Sequence, residues 1–459
     1  MSYLNHIKKF KKKIAVIDEK KSYNYKELDK ISSEITQNIE SRSLVFLFSE
    51  NNVETIMYYL GLLKKKAVIV LLNQNLKNSY LKNLLVKYKP NYVITNKGDL
   101  TLKNYKYYSK KFSCKVFKRK KIFIHKIFSE LALLLSTSGT TGNSKLVRLS
   151  YENYINNTEN IIKSLNLKSS DSVVTTLPFS YTYGLSIINS YLYVGGKIIL
   201  NQESIIKKDF WKKYAKYKPT SFYGVPFTYE LLSKLNYKNF FTKKLNFFAQ
   251  AGGKIEDNLL KKNIEFSKNN NIKYYSMYGQ TEASPRISLL NNKFNKSKFN
   301  SIGKPLKGGK FKLVNEKKEE IKKPFVKGEL IYYGKNVSLG YAINFKDLKK
   351  KNENNYKLFT GDIAYFDKDN FFYISGRKSG FVKIFGHRID MSDVEKLLLK
   401  KGFNIKCNSQ DNKLLICYKN KNLNKGLIKK ILSNEFNINQ NYIELKYLKK
   451  LKYNKNKQL

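Results

Sequence analysis

The regular alternation of short apolar runs with amphipathic segments constrains the fold of this chain more than any other feature. Leu44–Leu47 has the composition of a buried strand, and Thr55–Leu63 has the periodicity of a helix that follows it. Ala67–Leu72 and Ser79–Tyr88 repeat the arrangement, which continues to about Lys273–Tyr275. Because parallel strands need long crossover connections, usually helices, this pattern predicts an α/β fold with mainly parallel sheets covered by helices.

The pattern changes to short strands and turns from about residue 300, which predicts a small, β-barrel-like subdomain over about 300–377. Beyond it, a helix predicted at Ser392–Lys400 and the apolar runs that follow indicate a separate α+β domain. At 459 residues the chain is long enough for several cores. We therefore expect a large N-terminal domain, residues 1–377, with two α/β subdomains and the β-rich piece, and a small C-terminal domain, residues 380–459.

The formal charge of +53 suggests a polyanion-binding protein, but the kind of basic residue argues against that interpretation. Only six of the 88 basic residues are arginine, and the other 82 are lysines dispersed along the chain. Lys, Asn, Ile, Tyr and Phe are all written by AT-rich codons, so we attribute the charge to genome composition. The charge then predicts a weak attraction to anionic surfaces and no specific nucleic-acid partner.

Cysteine usage and hydropathy indicate the compartment. Cys114, Cys407 and Cys417 form no CxxC motif and cannot all pair, which favours a reducing, cytoplasmic location. The longest apolar runs are far too short to cross a bilayer, and the basic N-terminus lacks the apolar core of a secretory signal. We therefore expect no membrane span.

The segment Ser136–Lys145 carries the clearest chemical signal and follows the apolar strand Leu131–Leu135. Its ten residues include six hydroxyl side chains, two glycines and a closing lysine. Glycines let backbone N–H groups turn toward an anion, hydroxyls add donors and lysine adds positive charge, so phosphate is the expected ligand. The lysine lies three residues after the second glycine, which disfavours the Walker loop of kinases and GTPases. Taken alone, a flexible surface loop is the alternative.

A second motif, Tyr278–Ala283, reads Tyr-Gly-Gln-Thr-Glu-Ala and follows the strand predicted at Lys273–Tyr275. An aromatic face suits a nucleotide base, and a hard carboxylate suits Mg²⁺ beside phosphates. The two motifs together resemble the signatures of the adenylate-forming superfamily, which contains acyl-CoA synthetases, luciferases and the adenylation domains of peptide synthetases. This chain departs from the family pattern at Ser144, where proline is usual, and at Leu146, where glycine is usual.

The resemblance implies a site for ATP and Mg²⁺. It places the phosphates on the first motif, through Thr137, Ser138, Gly139, Thr140, Thr141, Gly142 and Lys145. It implies that Tyr278 stacks on adenine, that Gly279 belongs to the nucleotide site and that Thr281 bonds the α-phosphate. Glu282 would hold the metal ion.

Three further segments fit the same resemblance. Phe359–Asp362, with Arg377 beyond it, matches the family's ribose site, where Asp362 would accept from both hydroxyls. The turn at Gly252 and Gly253 is similar to the turn that lies against adenine and the acyl group. The family's acyl pocket corresponds to Tyr181, Gly184, Tyr223 and Gly252.

The C-terminal part resembles the family's small mobile domain, which rotates after adenylation to build the thiol half of the site. Ser379 stands at the hinge, where aspartate or lysine is usual; Lys383 follows, and Gly386 lies where a pantetheine arm would enter. Near the C-terminus, Lys457 corresponds to the catalytic lysine that reaches the acid carboxylate and the α-phosphate, with Lys455 as the alternative. Lysine and asparagine replace the proline and glycine that are usual in this terminal segment.

The activity implied by the resemblance has two steps. The carboxylate of an acid attacks the α-phosphorus of ATP and releases pyrophosphate, and the acyl group then passes to a thiol. We expect coenzyme A as the thiol, in an acyl-CoA synthetase of the kind that includes the long-chain fatty acid–CoA ligases. Two alternatives stay open: a ligase that loads the phosphopantetheine of a separate carrier protein, and a non-catalytic nucleotide-binding protein with a decayed site.

The acid is constrained by the predicted acyl pocket. Amino-acid-activating members of the family place an aspartate in the first pocket segment, and none occurs between Leu177 and Ser190. Tyr181 stands where many acyl-CoA synthetases have histidine. A fatty or other small organic acid is therefore the expected substrate. Arg286, close to the second motif, either meets a polar group of the substrate or forms a structural salt bridge.

Overall fold

The computed structural model describes residues 3–19, 21–98, 100, 102–121, 123–136, 145–235, 241–377, 381–384, 387–410, 413–420 and 423–448. The chain divides into two compact units, the first formed by residues up to 136 together with 145–375, and the second by the chain from Gly376 onward. The domain limits proposed from the sequence, 1–377 and 380–459, stay a prediction.

The first unit contains both helices and strands. Its helices, in chain order, are α1 (Tyr3–Ile7), α2 (Tyr25–Thr36), α3 (Val53–Lys64), α4 (Asn78–Tyr88), α5 (Tyr151–Leu165), α6 (Thr182–Val194), α7 (Lys208–Tyr217), α8 (Pro226–Lys234) and α9 (Asp257–Asn269). Its strands are β1 (Ile14–Ile17), β2 (Ser22–Asn24), β3 (Leu44–Ser49), β4 (Val68–Asn73), β5 (Tyr92–Thr95), β6 (Tyr105–Lys111), β7 (Cys114–Arg119), β8 (Leu131–Ser136), β9 (Leu146–Ser150), β10 (Ser172–Val174), β11 (Lys197–Ile199), β12 (Ser221–Gly224), β13 (Phe247–Gln250), β14 (Lys273–Gly279), β15 (Arg286–Leu290), β16 (Lys304–Pro305), β17 (Lys310–Val314), β18 (Glu320–Ile321), β19 (Gly328–Tyr333), β20 (Tyr341–Ala342), β21 (Lys357–Phe366) and β22 (Phe372–Arg377), the last of which runs into the second unit.

Two large mixed sheets form the body of this unit. One has eight strands in the order β20-β9-β8-β4-β3-β5-β7-β6, and its four central strands, β8 to β5 in this order, are parallel. The other has nine strands in the order β16-β15-β14-β13-β12-β10-β11-β1-β2, and its strands from β14 to β1 are parallel. The predicted α/β fold with mainly parallel sheets is confirmed, and antiparallel strands flank the parallel centre of each sheet.

The β-rich piece is a third sheet. Its strands lie in the order β18-β17-β19-β21-β22, and the pairs from β18 to β21 are antiparallel. Among the described residues this order is linear, with β18 and β22 at its edges, so the sheet has the strand content expected of the barrel-like subdomain in an open arrangement.

Local sequence explains the central elements. All six residues of β3 are buried, as expected for a parallel strand with helices on both faces. Helix α2 begins with a capping box, in which the Asn24 side chain accepts from the Glu27 N–H and the Glu27 carboxylate accepts from the Asn24 N–H. Gly61 lets α3 approach α2 closely, because an added Cβ would lie 2.2 Å from the backbone oxygen of Ser32.

Arg148 connects β9 to the chain that follows β19. Its guanidinium is fully buried, and Nη2 forms an ion pair with Glu353. Nε donates to the carbonyl oxygen of Tyr341 at 3.2 Å, and the two Nη atoms donate to the carbonyl oxygens of Leu339 and Lys350 at 2.7 and 2.5 Å. Arg148 thus holds strand β20, which carries Tyr341, at the edge of the eight-stranded sheet.

The second unit has its own core. Its elements are β23 (Phe381–Ile384), β24 (His387–Asp390), α10 (Met391–Lys400), β25 (Ile405–Gln410), β26 (Lys413–Tyr418), α11 (Lys425–Phe436) and β27 (Ile443–Tyr447). β23 and β24 form an antiparallel pair, and β25, β26 and β27 form a sheet. Side chains such as Val394, Ile416 and Leu432 are fully buried between this sheet and the helices. This is the small α+β arrangement expected from the sequence.

A search of the described helices finds none that is both long and apolar enough to cross a lipid bilayer.

Candidate active site

Strands β12 and β13 end level with each other at one edge of the nine-stranded sheet, and the neighbouring β14 continues past them to Gly279. Gly224 pairs with Gln250, and Gln250 pairs with Ser276, so the segments that follow these parallel strands leave the sheet side by side. In open α/β sheets, ligands bind at the carboxyl ends of the strands. This edge carries several of the predicted site residues: Tyr223, Gly252, Gly253, Tyr278, Gly279, Thr281 and Glu282.

The turn after β14 is held in a single shape. Gly279 is required there, since an added Cβ would lie 1.9 Å from the carbonyl oxygen of Pro285. The Gln280 N–H donates to the same oxygen at 2.8 Å, and the Ser284 hydroxyl donates to the carbonyl oxygen of Asn336 at 2.8 Å. A short 3₁₀ helix spans Thr281–Ala283. Thr281 and Glu282 therefore lie on a turn that is fastened on both sides.

The residues predicted for adenine and ribose meet in the structure. The Tyr278 hydroxyl donates a hydrogen bond to Asp362 Oδ2. Asp362 belongs to β21 and is 1% exposed, and its backbone N–H donates to Thr360 Oγ1 at 3.1 Å. Strands from two different sheets thus bring an aromatic ring and a buried carboxylate together, as a nucleoside site requires.

Glu282, the predicted metal ligand, is only 4% exposed. The Tyr341 hydroxyl donates to Glu282 Oε1 at 2.7 Å, and Lys145 Nζ lies 4.3 Å from the centroid of the Tyr341 ring. Lys145 is the first described residue after the phosphate loop. The group is thus a buried carboxylate whose hydrogen-bonding tyrosine also contacts the lysine predicted to bind phosphate.

This arrangement fits the binding of Mg²⁺ with ATP. Mg²⁺ is usually held by one or two carboxylates together with substrate phosphates, so Glu282 is a suitable protein ligand. Across the described ranges, no three His, Cys, Asp or Glu side chains gather into a metal cluster. Tyr341 was not predicted as a site residue.

We expect Tyr341→Phe to raise the Mg²⁺ concentration needed for half-maximal ATP turnover by about tenfold, because Glu282 loses a hydrogen bond to its charged oxygen. The measurement is a Mg²⁺ titration of acid-dependent pyrophosphate release. Tyr356→Phe is the matched control, since Tyr356 makes an exposed hydrogen bond of 3.0 Å to Glu152. Equal Mg²⁺ titrations for the two variants would contradict a role for Tyr341 at Glu282.

Two threonines bring the residues predicted for the acyl group next to those predicted for the phosphates. Thr182 begins α6, and its hydroxyl lies 3.0 Å from that of Thr281, the residue predicted to bond the α-phosphate. One residue earlier, Tyr181 approaches the turn after β13. Gly252 has a φ of +89°, and a Cβ there would lie 2.8 Å from the Tyr181 hydroxyl oxygen. The predicted acyl residues Tyr181 and Gly252 are therefore neighbours.

Gly184, Gly253 and Tyr223, which were also predicted as site residues, are closely packed against other parts of the protein. A Cβ on Gly184 would lie 2.3 Å from the carbonyl oxygen of Pro178, and one on Gly253 would lie 3.3 Å from the Pro226 ring. The Gly253 carbonyl oxygen accepts from the Gln250 side chain at 2.6 Å. Tyr223 lies in β12 and is buried, with its ring edge-on to that of Tyr183. Their contact with an acyl group stays a prediction.

Arg286 begins β15 and is 2% exposed. Its Nε donates to Ser186 Oγ at 3.2 Å, and its guanidinium carbon lies 5.0 and 5.1 Å from the ring centroids of Tyr183 and Tyr223. Arg286 Nη1 also contacts Met277 Sδ at 3.8 Å. Within the described part of the chain these partners include no carboxylate, so the structural salt bridge considered from the sequence is not observed there.

Several predicted residues cannot be placed in this geometry. The loop residues Thr137, Ser138, Gly139, Thr140, Thr141 and Gly142, the hinge residue Ser379, Gly386, and the terminal Lys455 and Lys457 lie outside the described residues. Arg377 ends β22 in the second unit, and the backbone of Lys383 pairs with that of Arg388 between β23 and β24. The roles of all these residues stay predictions.

Sequence similarity to known proteins covers most of the first unit. A family model described as AMP-binding enzyme matches residues 4–342. The 2-succinylbenzoate–CoA ligase of Bacillus cereus is 29% identical to this chain over 272 residues, which make up 59% of this chain and 54% of that protein. The chain thus spans about half the length of the curated relatives it matches.

Structural similarity extends over nearly the whole chain. o-Succinylbenzoate CoA synthetase from Bacillus subtilis, solved with a product analogue, matches with a TM-score of 0.76 and 19% identity over 99% of this chain and 96% of that chain. The synthetase solved with ATP and a magnesium ion matches with a TM-score of 0.69 and 20% identity over 98% and 96%. At these identities the matches show the fold alone.

Proposed function

The chain belongs to the AMP-binding enzyme family, and we propose that it uses ATP to convert a carboxylic acid into an acyl-adenylate and then into a thioester. The observation that carries the proposal is the assembly at the carboxyl edge of the nine-stranded sheet. There Tyr278 bonds Asp362, Thr281 contacts Thr182, and Glu282 is held by a tyrosine beside Lys145. These contacts support the proposal that a nucleoside, a phosphate and a metal ion bind at neighbouring places along this edge.

In the proposed first step, the chain's residues position the reactants and neutralise charge. Asp362 accepts from the ribose hydroxyls, and the Tyr278 ring lies against adenine. Thr281 donates to the α-phosphate, while Lys145 and Lys457 offset the charge that develops as the carboxylate attacks the α-phosphorus and pyrophosphate leaves. Bound Mg²⁺, held by Glu282, would supply further charge neutralisation. Such a site accelerates the reaction mainly by orientation and electrostatics.

We propose a small organic acid, of the kind named in the relatives matched by sequence, as the substrate. Those relatives are named for 2-succinylbenzoate, and they give no support to the narrower prediction of a long-chain fatty acid. The acyl side of the site agrees, because the buried hydroxyl groups of Tyr183 and Tyr223 form no hydrogen bond among the described residues. A simple alkyl chain would leave such buried hydroxyls unsatisfied.

Coenzyme A is the proposed thiol, since the sequence relatives are named as coenzyme A ligases. Loading of a carrier-protein phosphopantetheine is the second candidate, and Ser379, Lys383 and Gly386 are the residues proposed for the thiol step. We further propose a cytoplasmic location, where ATP and coenzyme A are available, in keeping with the three cysteines unpaired in the structure.

The direct test of the proposed function is product analysis with purified protein, ATP, Mg²⁺ and coenzyme A. With 2-succinylbenzoate or a related acid, mass spectrometry is expected to detect AMP and an acyl-CoA in equal amounts. Pyrophosphate together with an enzyme-bound adenylate, but no acyl-CoA, would favour a carrier protein as acceptor. Nucleotide binding without release of pyrophosphate from any acid would instead indicate a non-catalytic protein.

A further inference from the structure

Three hydrogen-bond donors without partners lie together beside the predicted acyl residues. They are Nη2 of Arg286 and the hydroxyls of Tyr183 and Tyr223, and each is shielded from solvent and has no hydrogen-bond partner among the described residues. The three side chains belong to β15, α6 and β12, and the Arg286 guanidinium packs against both tyrosine rings. Other buried tyrosine hydroxyls of the described chain, such as that of Tyr58, also have no partner. This set differs because a buried guanidinium lies among the hydroxyls, and a buried cation without an anion points to a ligand that is not part of the chain.

Among the described residues, no carboxylate compensates the positive charge of this cluster. A buried cation is costly unless it is paired, and contacts with aromatic rings offset only part of that cost. Arg148, which is equally buried, shows the usual solution: a carboxylate partner and several carbonyl oxygens surround it. By contrast, the Arg286 side chain contacts one hydroxyl group, one thioether sulfur and two aromatic rings.

The electrostatics of the tyrosines agree with this geometry. Burial raises the pKa of Tyr183 and of Tyr223, and the Arg286 cation acts in the opposite direction on both. Both hydroxyls are therefore protonated at neutral pH and lie in the positive field of Arg286. A group that meets two O–H donors and a guanidinium is an acceptor with negative charge, and an ammonium group is excluded.

The cluster lies beside the residues predicted to bind the acyl group of the substrate. Tyr183 is the next residue after Thr182, whose hydroxyl contacts Thr281, and its ring lies 6.3 Å from that of Tyr181. Tyr181 in turn faces the turn at Gly252. The cluster thus lies on the acyl side of the site, close to the threonine proposed to bond the α-phosphate.

We propose that Arg286, Tyr183 and Tyr223 form a subsite for a second carboxylate, so that the substrate is a dicarboxylic acid activated at its other carboxylate. The planar guanidinium matches a carboxylate, and the two hydroxyls supply further donors to it. This inference rests on the proposed function, because it requires that an acid be adenylated at the neighbouring site.

The test compares dicarboxylic acids with their monomethyl esters, in which the second carboxylate is neutral while the size is similar. We expect the wild-type protein to use each diacid with a kcat/KM at least about a hundredfold higher than its ester, since a site built for hydrogen bonding rejects analogues that lack the group. In Arg286→Gln, this ratio is expected to fall below about threefold because KM for the diacid rises. KM for ATP is expected to stay unchanged.

A second pair of variants separates substrate binding from a structural role. Without substrate, Arg286→Met is expected to move the thermal unfolding midpoint by less than about 2 °C, because Arg286 pairs with no acidic side chain in the described part of the chain. Arg148→Met is expected to lower it by about 5 °C or more, because it leaves buried acceptors unpaired. Equal losses for the two variants would make Arg286 a structural residue and overturn the proposal.

The outcomes distinguish a failure of the proposed carboxylate subsite from a failure of the proposed function. Wild-type protein that activates monoesters or simple monocarboxylic acids as well as diacids overturns the subsite while the proposed function stands. This measurement does not depend on whether any variant folds. Failure of every acid to support adenylation overturns the proposed function, and the subsite with it.

Discussion

Replacement of Glu282 by glutamine is expected to lower the rate of acyl-adenylate formation by about a thousandfold. The variant keeps the size of the side chain and an oxygen for the Tyr341 hydroxyl, but it removes the negative charge that would hold Mg²⁺. Charge stabilisation of this kind contributes several kcal/mol to a transition state, and about 1.4 kcal/mol corresponds to tenfold in rate. The measurement is acid-dependent release of pyrophosphate at saturating ATP.

Glu320→Gln is the matched control for this prediction. Glu320 is a partly exposed partner of Lys312 in the β-rich sheet, and surface ion pairs contribute little to stability. Its rate is expected to equal that of the wild-type protein. If Glu282→Gln retains more than a tenth of the wild-type rate at high Mg²⁺, the assignment of Glu282 as the metal ligand is wrong.

The second large effect concerns stability. We expect Arg148→Met to lower the free energy of unfolding by about 3 kcal/mol, because it leaves Glu353 and the carbonyl oxygens of Leu339 and Tyr341 without their donor. Methionine fills a similar volume, so the loss reports the polar contacts rather than a cavity. Chemical denaturation followed by fluorescence measures it.

Arg119→Met provides the comparison for Arg148. The Arg119 side chain is partly exposed and makes one hydrogen bond of 3.3 Å to the Tyr105 hydroxyl, so its loss is expected to cost less than about 1 kcal/mol. Similar denaturation midpoints for the two variants would mean that Arg148 does not fasten β20 as the structure indicates.

The parallel centre of both sheets was predictable because its strands are continuous apolar runs. β3 extends the expected run Leu44–Leu47 by two residues, and β4 begins and ends one residue after the expected run Ala67–Leu72. The antiparallel strands at the sheet edges were not foreseen. β6 is mostly exposed and rich in lysine, and β9 contains the buried Arg148, so neither shows an apolar pattern that a strand prediction needs.

Some residues of the candidate site were likewise predictable from the sequence, and others were not. Tyr278, Glu282 and Asp362 were identified because they belong to short motifs that can be read along the chain. Tyr341 was missed because it meets Glu282 across 59 residues of sequence, and no local pattern marks it. The surroundings of Arg286 likewise come from separate elements, β12, β14 and α6, which are brought next to β15 only in the folded chain.

The measurement that tests the central claim most directly is ATP–pyrophosphate exchange with radiolabelled pyrophosphate, in the absence of any thiol. Exchange reports the reversible formation of an acyl-adenylate and depends on neither coenzyme A nor a carrier protein. We expect exchange that requires both Mg²⁺ and a carboxylic acid, fastest with dicarboxylic acids such as 2-succinylbenzoate and lost in Glu282→Gln. An absence of acid-dependent exchange across a broad panel of carboxylic acids would contradict the assignment of this chain as an acid-activating enzyme.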